Sequence, residues 1–198
     1  MAKGTKEKIL DEALRQFSQK GYDGTNIREL TASLGLVKSS MYKHFGSKED
    51  IWNALLDEMI AYYNEHFGSA ENLPPVPDSL DGLVSMTMQM VNFTIHDERV
   101  VMTRKLLTIE QFRDERFSRN ATKYQYDNIN GMFTGIFADL IKKGMVEAHD
   151  PEQLALMYYS PVSVMIQICD REPERIDECM KKIEDNIDLF IDKFFIKK

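Results

Sequence analysis

Residues 38–49 read Lys38-Ser39-Ser40-Met41-Tyr42-Lys43-His44-Phe45-Gly46-Ser47-Lys48-Glu49, and they follow a Gly35-Leu36-Val37 turn. The spacing predicts a short helix over about 38–45. At about 100° per residue, Met41 and Phe45 lie within about 40° of each other and mark its inward side. Gly46-Ser47 ends it. Upstream, Gly21-Tyr22-Asp23-Gly24-Thr25 reads as a turn, with Gly21 suited to a left-handed helix end and Thr25 to an N-cap. Ile27, Leu30 and Leu34 then share one face of a second short helix that ends at Gly35. Before it, Thr5 is a fair N-cap for a first helix whose apolar stripe is Ile9, Leu10, Ala13, Leu14 and Phe17. Two short helices joined by a three-residue, Gly-containing turn fit a helix-turn-helix.

In such a unit Leu30, Leu34, Leu36, Met41 and Phe45 hold the two short helices at a fixed angle. The second of them then projects its remaining faces outward, and a DNA major groove is wide enough to take it. Ser39 and Lys43 share the face opposite the apolar pair, and Ser40 and Tyr42 flank it. Small serines let the backbone come close to base edges. Lys38, Lys43 and Lys48 can neutralise phosphates, while Tyr42 and His44 can hydrogen-bond them from the flanks. Thr25 and Arg28, at the start of the preceding helix, can meet backbone oxygens there. By pattern alone, the same residues also fit an ordinary solvated helix.

Outward from this stretch the pattern stays helical. Ser47-Lys48-Glu49-Asp50 resembles a capping box and opens a longer helix through Ile51, Leu55, Met59, Tyr62 and Tyr63. Further helices are expected at about 79–96, 98–111, 116–143, 151–170 and 173–195. A loop over 71–79 carries Pro74, Pro75 and Pro77. Gly144 closes one helix, Asp150-Pro151 starts the next, and Pro161 is expected to kink it. No alternating Val/Ile/Thr run bounded by turns predicts a strand.

The quoted residues, with Gly21-Tyr22-Asp23-Gly24-Thr25 and Ile27-Arg28-Glu29-Leu30, resemble the N-terminal signature of the TetR family of transcriptional regulators. The motif resemblance covers roughly residues 5–52. It implies an all-α protein: a three-helix DNA-binding domain over 1–47, then a helical ligand-binding and dimerisation domain over 48–198. It implies a homodimer that binds a palindromic DNA operator and usually represses. The family's DNA-contacting positions fall on Thr25, Lys38, Ser39, Ser40, Tyr42, His44 and Lys48, with Arg28 and Lys43 as additions. One departure is Val37, where the family commonly has Ser or Thr as N-cap of the recognition helix. Valine cannot cap, at a cost of about 1 kcal/mol. The helix therefore starts uncapped, or one or two residues later with Ser39 as its cap. A ligand-binding or interaction module that no longer reads DNA is the competing reading.

The last helix carries Ile176, Met180, Ile183, Ile187, Phe190 and Phe194 at steps of 4, 3, 4, 3 and 4, a heptad seam. It fits either a dimer interface or packing inside its own domain. The resemblance favours the dimer, with Met157 and Met165 of the neighbouring helix. A two-fold dimer would set two recognition helices about 34–36 Å apart. For a small-molecule effector, the methionine-rich and aromatic middle helices predict a hydrophobic lining from Met86, Met90, Phe93, Met102, Leu106, Phe112, Tyr124, Phe133 and Phe137. Gly131 and Gly135 predict a close helix contact.

Composition bounds the function classes. The 198 residues are 43% hydrophobic and 29% charged, an ordinary globular mixture rather than a disordered one. No stretch approaches the roughly 20 apolar residues of a membrane span, and the N-terminus lacks the apolar core of a secretory signal. With only Cys169 and Cys179, no disulfide framework is expected, and the expected location is cytoplasmic. Net charge is −7, split as +2 over residues 1–50 (nine Lys/Arg, seven Asp/Glu) and −9 over the rest. The asymmetry agrees with a head and a body of different function. His44, His66, His96 and His149 are scattered, with no metal-ligand spacing, Gly-rich phosphate loop or Gly-x-Ser-x-Gly. No cofactor, metal or enzymatic activity is expected.

Overall fold

The computed structural model describes residues 4–67, 76–113 and 115–196, so Pro74 and Pro75 of the expected loop lie outside the described residues. The helices are α1 (Thr5–Gly24), α2 (Ile27–Ser33), α3 (Lys38–Tyr42), α4 (Lys48–Phe67), α5 (Leu80–His96), α6 (Glu98–Glu110), α7 (Glu115–Thr122), α8 (Asn128–Lys142), α9 (Pro151–Arg171) and α10 (Ile176–Phe194). Among the described residues there is no strand, only an isolated antiparallel bridge between Val146 and Phe195. None of the helices is long and apolar enough to cross a membrane.

Local chemistry sets most boundaries. Gly21 takes φ 77° and breaks the helical path of α1 where the sequence expects it, and Gly35 and Gly144 also have positive φ. Ser79 caps α5 by accepting from Gly82 N–H, Asp150 caps α9 by accepting from Glu152 N–H, and Ser47 accepts from Asp50 N–H at the start of α4. The cap of α2 corrects the expectation. It is Asn26, which accepts from Glu29 N–H at 2.9 Å, because the Thr25 hydroxyl is buried and donates to Gly21 O at 3.1 Å. Likewise Gly4, not Thr5, precedes α1, with the Glu7 carboxylate accepting from its N–H. The single helix expected over 116–143 is α7 and α8 joined by a π-helical turn at Lys123–Asp127. A 3₁₀ turn, Pro173–Arg175, links α9 to α10.

Packing divides the chain into two compact units. One comprises residues 1–72 and 98–119, the other 73–97 and 120–198. In the first, α1 packs on α2, α4 and α6. Ile9, Phe17, Leu30, Met41, Ile51 and Trp52 are essentially without exposure. Trp52 and Phe117 meet tilted, 4.3 Å between ring centroids, with Tyr22 beside both. A polar tie joins α1 to α2, where the Glu12 carboxylate accepts from Gln16 and Ser33, both at 2.7 Å, and from Arg15.

The second unit is built on the α8–α9–α10 layer with α5 against α9. Tyr158 is fully buried at its centre, with Phe133, Phe137 and Phe190 at 5.1, 5.4 and 4.9 Å. Its hydroxyl meets Thr87 at 2.9 Å, and burial pushes its pKa up to about 12. Around this cluster Ile183, Ile187, Phe190 and Phe194 of α10 are buried in their own chain, and Ile176 and Met180 pack against the same core. Of the expected seam, Ile183, Ile187, Phe190 and Phe194 are thus buried within their own chain, while Ile176 and Met180 are half-buried. At Gly131 and Gly135 the expected close helix contact is not found among the described residues: a Cβ at either would meet nothing within 4 Å.

Candidate nucleic-acid interface

The helix-turn-helix is α2, the turn at Leu34–Val37, and α3. The turn is tied by Leu36 N–H to Thr31 O at 2.8 Å and Gly35 N–H to Ala32 O at 3.0 Å. Met41 is fully buried and Phe45 nearly so, which anchors α3 by the pair the sequence marks. With that side fixed inward, Lys38, Ser39, Tyr42, Lys43 and His44 are all exposed, and Ser40 is half-buried. Lys38 Nζ stands 5.6 Å from the Tyr42 ring centroid. Arg28 is exposed on α2. The structure thus brings seven of the nine expected contact residues onto the exposed or half-exposed sides of one short motif.

Two of the nine are engaged internally. Thr25 is 1% exposed, with its hydroxyl bound as described, so its side chain is not presented to a ligand. Lys48 is half-buried, and its ammonium donates to Tyr22 O at 2.8 Å and Thr25 O at 3.0 Å while lying 4.3 Å from the Tyr22 ring centroid. It caps backbone carbonyls at the α1–α2 junction, a role that residue type and spacing do not reveal. Val37 stands extended at the N-cap of α3 without a side-chain cap, and the helix nonetheless starts at Lys38. Ser40 N–H reaches Val37 O at 2.9 Å, so the start is not delayed and Ser39 is not used as a cap.

The expected effector lining is divided between the two compact units. Met102, Leu106 and Phe112 belong to the compact unit of the head, and Met86, Met90, Phe93, Tyr124, Phe133 and Phe137 to the other. Phe112, just beyond the end of α6, is 91% exposed. Phe133 and Phe137 are closed into the aromatic core around Tyr158, and Leu106 is buried in its own unit. Met86, Met90 and Phe93 remain half-buried on α5, beside its buried row of Leu83, Thr87, Val91 and Ile95. Sequence reasoning missed Gln125, in the π-helical turn, whose side-chain nitrogen is buried without a hydrogen-bond partner. A π-helical turn inside an α-helix often marks a functional position, but its one-residue insertion leaves no periodicity signal to read.

The surface of the second unit carries another feature. On α9, Met157 and Val164 are about half exposed (48% and 50%) with Leu156 at 36%, and on α10 Leu189 is 68% exposed. Met165, expected at a dimer interface, is half-buried against the core instead.

Residues 9–55 match the model of the family described as bacterial regulatory proteins, tetR family. The biofilm operon icaADBC HTH-type negative transcriptional regulator IcaR of Staphylococcus aureus (strain Newman) is 32% identical over 108 residues, 54% of this chain and 56% of that protein. The IcaR of Staphylococcus epidermidis is 26% identical, over 48% of this chain and 67% of that protein. The chain therefore spans little more than half the length of the Staphylococcus aureus relative. Among solved structures, SmeT, the repressor of the Stenotrophomonas maltophilia multidrug efflux pump SmeDEF, has a TM-score of 0.68 at 19% identity, covering 98% of this chain and 92% of that one. Its triclosan complex gives 0.71 at 18% identity, over 98% and 93%. A regulator from Saccharomonospora viridis in complex with choline gives 0.70 at 16% identity, over 97% and 98%. These likenesses extend the shared fold over nearly the whole chain.

Proposed function

The chain belongs to the TetR family of bacterial regulatory proteins, DNA-binding regulators rather than enzymes, and on that premise we propose that it is a ligand-responsive repressor that binds a palindromic operator as a homodimer in the cytoplasm. The observation that carries this reading is the geometry of α3. Met41 of α3 and Phe45 just beyond it are buried, while Lys38, Ser39 and Tyr42 of α3 and Lys43 and His44 in the turn that follows stand exposed. Ser39 reads base edges, Lys38 and Lys43 neutralise phosphates, and Ser40, Tyr42 and His44 hydrogen-bond the backbone.

The dimer forms through the exposed apolar face of α9, with Met157 and Val164 at its centre and Leu189 of α10 beside it. An apolar row of this kind on a helix already packed on its other side needs a cover. A two-fold axis there presents one α3 from each copy to successive turns of one DNA face. The effector is a small hydrophobic molecule. Met86, Met90 and Phe93 supply adaptable apolar contacts, and Tyr124 and the unpaired Gln125 amide supply a polar one. By preferring a conformation whose heads are misplaced for the operator, it shifts the population away from DNA. A coupling of about 1–3 kcal/mol changes operator affinity about 5–150-fold. The relatives named above include a repressor bound to triclosan and a regulator bound to choline, which supports a small-molecule effector here.

The uncapped start of α3 and the acidic balance favour one rival, a module that binds its ligand but no longer reads DNA. Selection from a pool of random duplex DNA at two salt concentrations separates them. Enrichment of a palindrome whose binding weakens steeply with salt supports the repressor. No enrichment at either salt, with and without a bound small molecule, supports the rival.

A further inference from the structure

The junction between α1 and α2 is held from two sides by charged side chains of other helices. From α6, the Glu110 carboxylate, 2% exposed, accepts the Tyr22 N–H at 2.8 Å. From the first turn of α4, Lys48 donates to Tyr22 O and Thr25 O. The backbone of one residue thus has an anion at its N–H and a cation at its C=O. The Tyr22 ring is wedged among Phe17, Trp52 and Phe117 at 5.5, 6.2 and 5.8 Å. Gly21 makes the approach possible: a Cβ there would stand 2.3 Å from Glu110 Oε1, and its φ of +77° also favours glycine. Arg113, at 3.2 Å, partly balances the buried carboxylate.

The chain path gives this grip a direction. Residues 98–119 pack with the head, whereas the chain on both sides of them, 73–97 and 120–198, forms the other compact unit. A rearrangement in that unit reaches the head covalently through the ends of this segment, and Glu110 is where the segment takes hold of the head's backbone. We infer that Glu110 is a positioning residue for DNA reading: its hold on the Tyr22 N–H fixes the α1–α2 junction, and with it the presentation of α3, to α6. A charge-assisted bond of this length is lost when the atoms separate beyond about 3.5 Å, so a shift of α6 by under about 1 Å releases the junction. The inference rests on the regulator reading above.

Glu110→Gln keeps an acceptor for the Tyr22 N–H, and Glu110→Leu keeps the bulk and removes it. Both full-length variants are titrated against the duplex that the wild type selects from a random pool, with the active fraction determined by stoichiometric titration. Amide hydrogen exchange is followed in parallel. Loss of one charged hydrogen bond predicts that Glu110→Leu binds the duplex about tenfold more weakly or worse. Its Tyr22 amide exchanges about tenfold faster, while amides of α8, α9 and α10 keep their protection. Glu110→Gln stays close to wild type in both readouts, a rescue that loss of packing would not give. If the leucine variant fails to fold, Glu110→Asp, which withdraws the carboxylate by one methylene, supplies the same comparison. Unchanged Tyr22 exchange, or faster exchange with unchanged duplex affinity, overturns the inference. A wild type that selects no duplex overturns the regulator reading instead, and the exchange result still decides whether Glu110 grips the head.

Discussion

The head and the α9–α10 hairpin divide similar side chains in the same way, by different means. In the head, Lys38 and Lys43 stand at the surface while Lys48 is tied to two carbonyls. In the hairpin, the α9 row of Met157 and Val164 is exposed while the α10 row of Ile183, Ile187, Phe190 and Phe194 is closed into the core. Hydrogen bonding makes the division in one region and burial in the other. Residue type and spacing are alike on both sides of each division. Only the packed chain tells which members remain for a partner.

The hairpin offers the largest test. Ile183→Asp places an unpaired charge in the core and should cost about 3–5 kcal/mol, most of the stability of a domain at the low end of the ordinary range. Val164→Asp, half exposed on α9, should leave the thermal transition nearly in place and convert the dimer to monomer in sedimentation. A folded monomer from Ile183→Asp would return the interface to α10 and undo the comparison.

Next in size is the pair of lysines in the head. With Lys38 and Lys43 of two copies each on a phosphate, and Lys48 engaged elsewhere, the log–log salt slope of operator binding should be about −4 rather than about −5. Lys43→Met should flatten that slope by about 2. Lys48→Met should leave the slope and lower the stability of the fold by about 1–3 kcal/mol, because two carbonyls lose a charged donor. A flattened slope for Lys48→Met would place that ammonium on DNA.

These divisions explain what the sequence could carry. Helix positions, the left-handed Gly21, the turn at Gly35 and the inward pair Met41 and Phe45 are local: apolar period and turn chemistry encode them within a few residues. The cap of α2 was missed by one residue, because Thr25 and Asn26 are both good caps and only the burial of Thr25 chooses between them. The α10 row stayed open in the sequence between a partner and the chain's own core, because a heptad row describes any helix with one covered side, whatever covers it. Phe112 and Phe133 were grouped by aromatic character, yet one is 91% exposed and the other 1%. Glu110 was not singled out at all, since its partner, the Tyr22 N–H, lies 88 residues away.

Tyr158→Phe tests the core side of the hairpin more gently. Thr87 already donates to Leu83 O at 2.9 Å, so the Tyr158 hydroxyl is the donor in their contact. Its removal leaves no buried donor unpaired and should cost about 0.5–1.5 kcal/mol. The folded-state pKa of about 12 lies above the ordinary tyrosine value of 10.0. Its contribution to stability is therefore whole below pH 10 and lost as pH rises through 12, and the Phe variant should lack that alkaline loss. A phenol that titrates near 10 in the folded protein, followed by absorbance, would show Tyr158 to be wet and the core open.

The smallest effect falls on the polar tie of the head, where a charge near the surface is held by its neighbours. The Arg15 hydrogen bond above all, with those from Gln16 and Ser33, holds the Glu12 carboxyl at about 2, below its usual 4.5, against an opposing push from burial. A group whose folded value is depressed stabilises the fold above its unfolded value and loses that contribution as pH falls through the folded one. Wild type should therefore exceed Glu12→Gln in denaturation midpoint at pH 7, and the gap should close between pH 4.5 and pH 2. Because Ser33 belongs to α2, the loss should appear first as faster amide exchange in α2, with α9 and α10 unaffected. A gap that stays constant across that range would mean that the hydrogen bonds, not the charge, join α1 to α2, and Glu12 would then belong with Lys48 among side chains engaged for geometry alone.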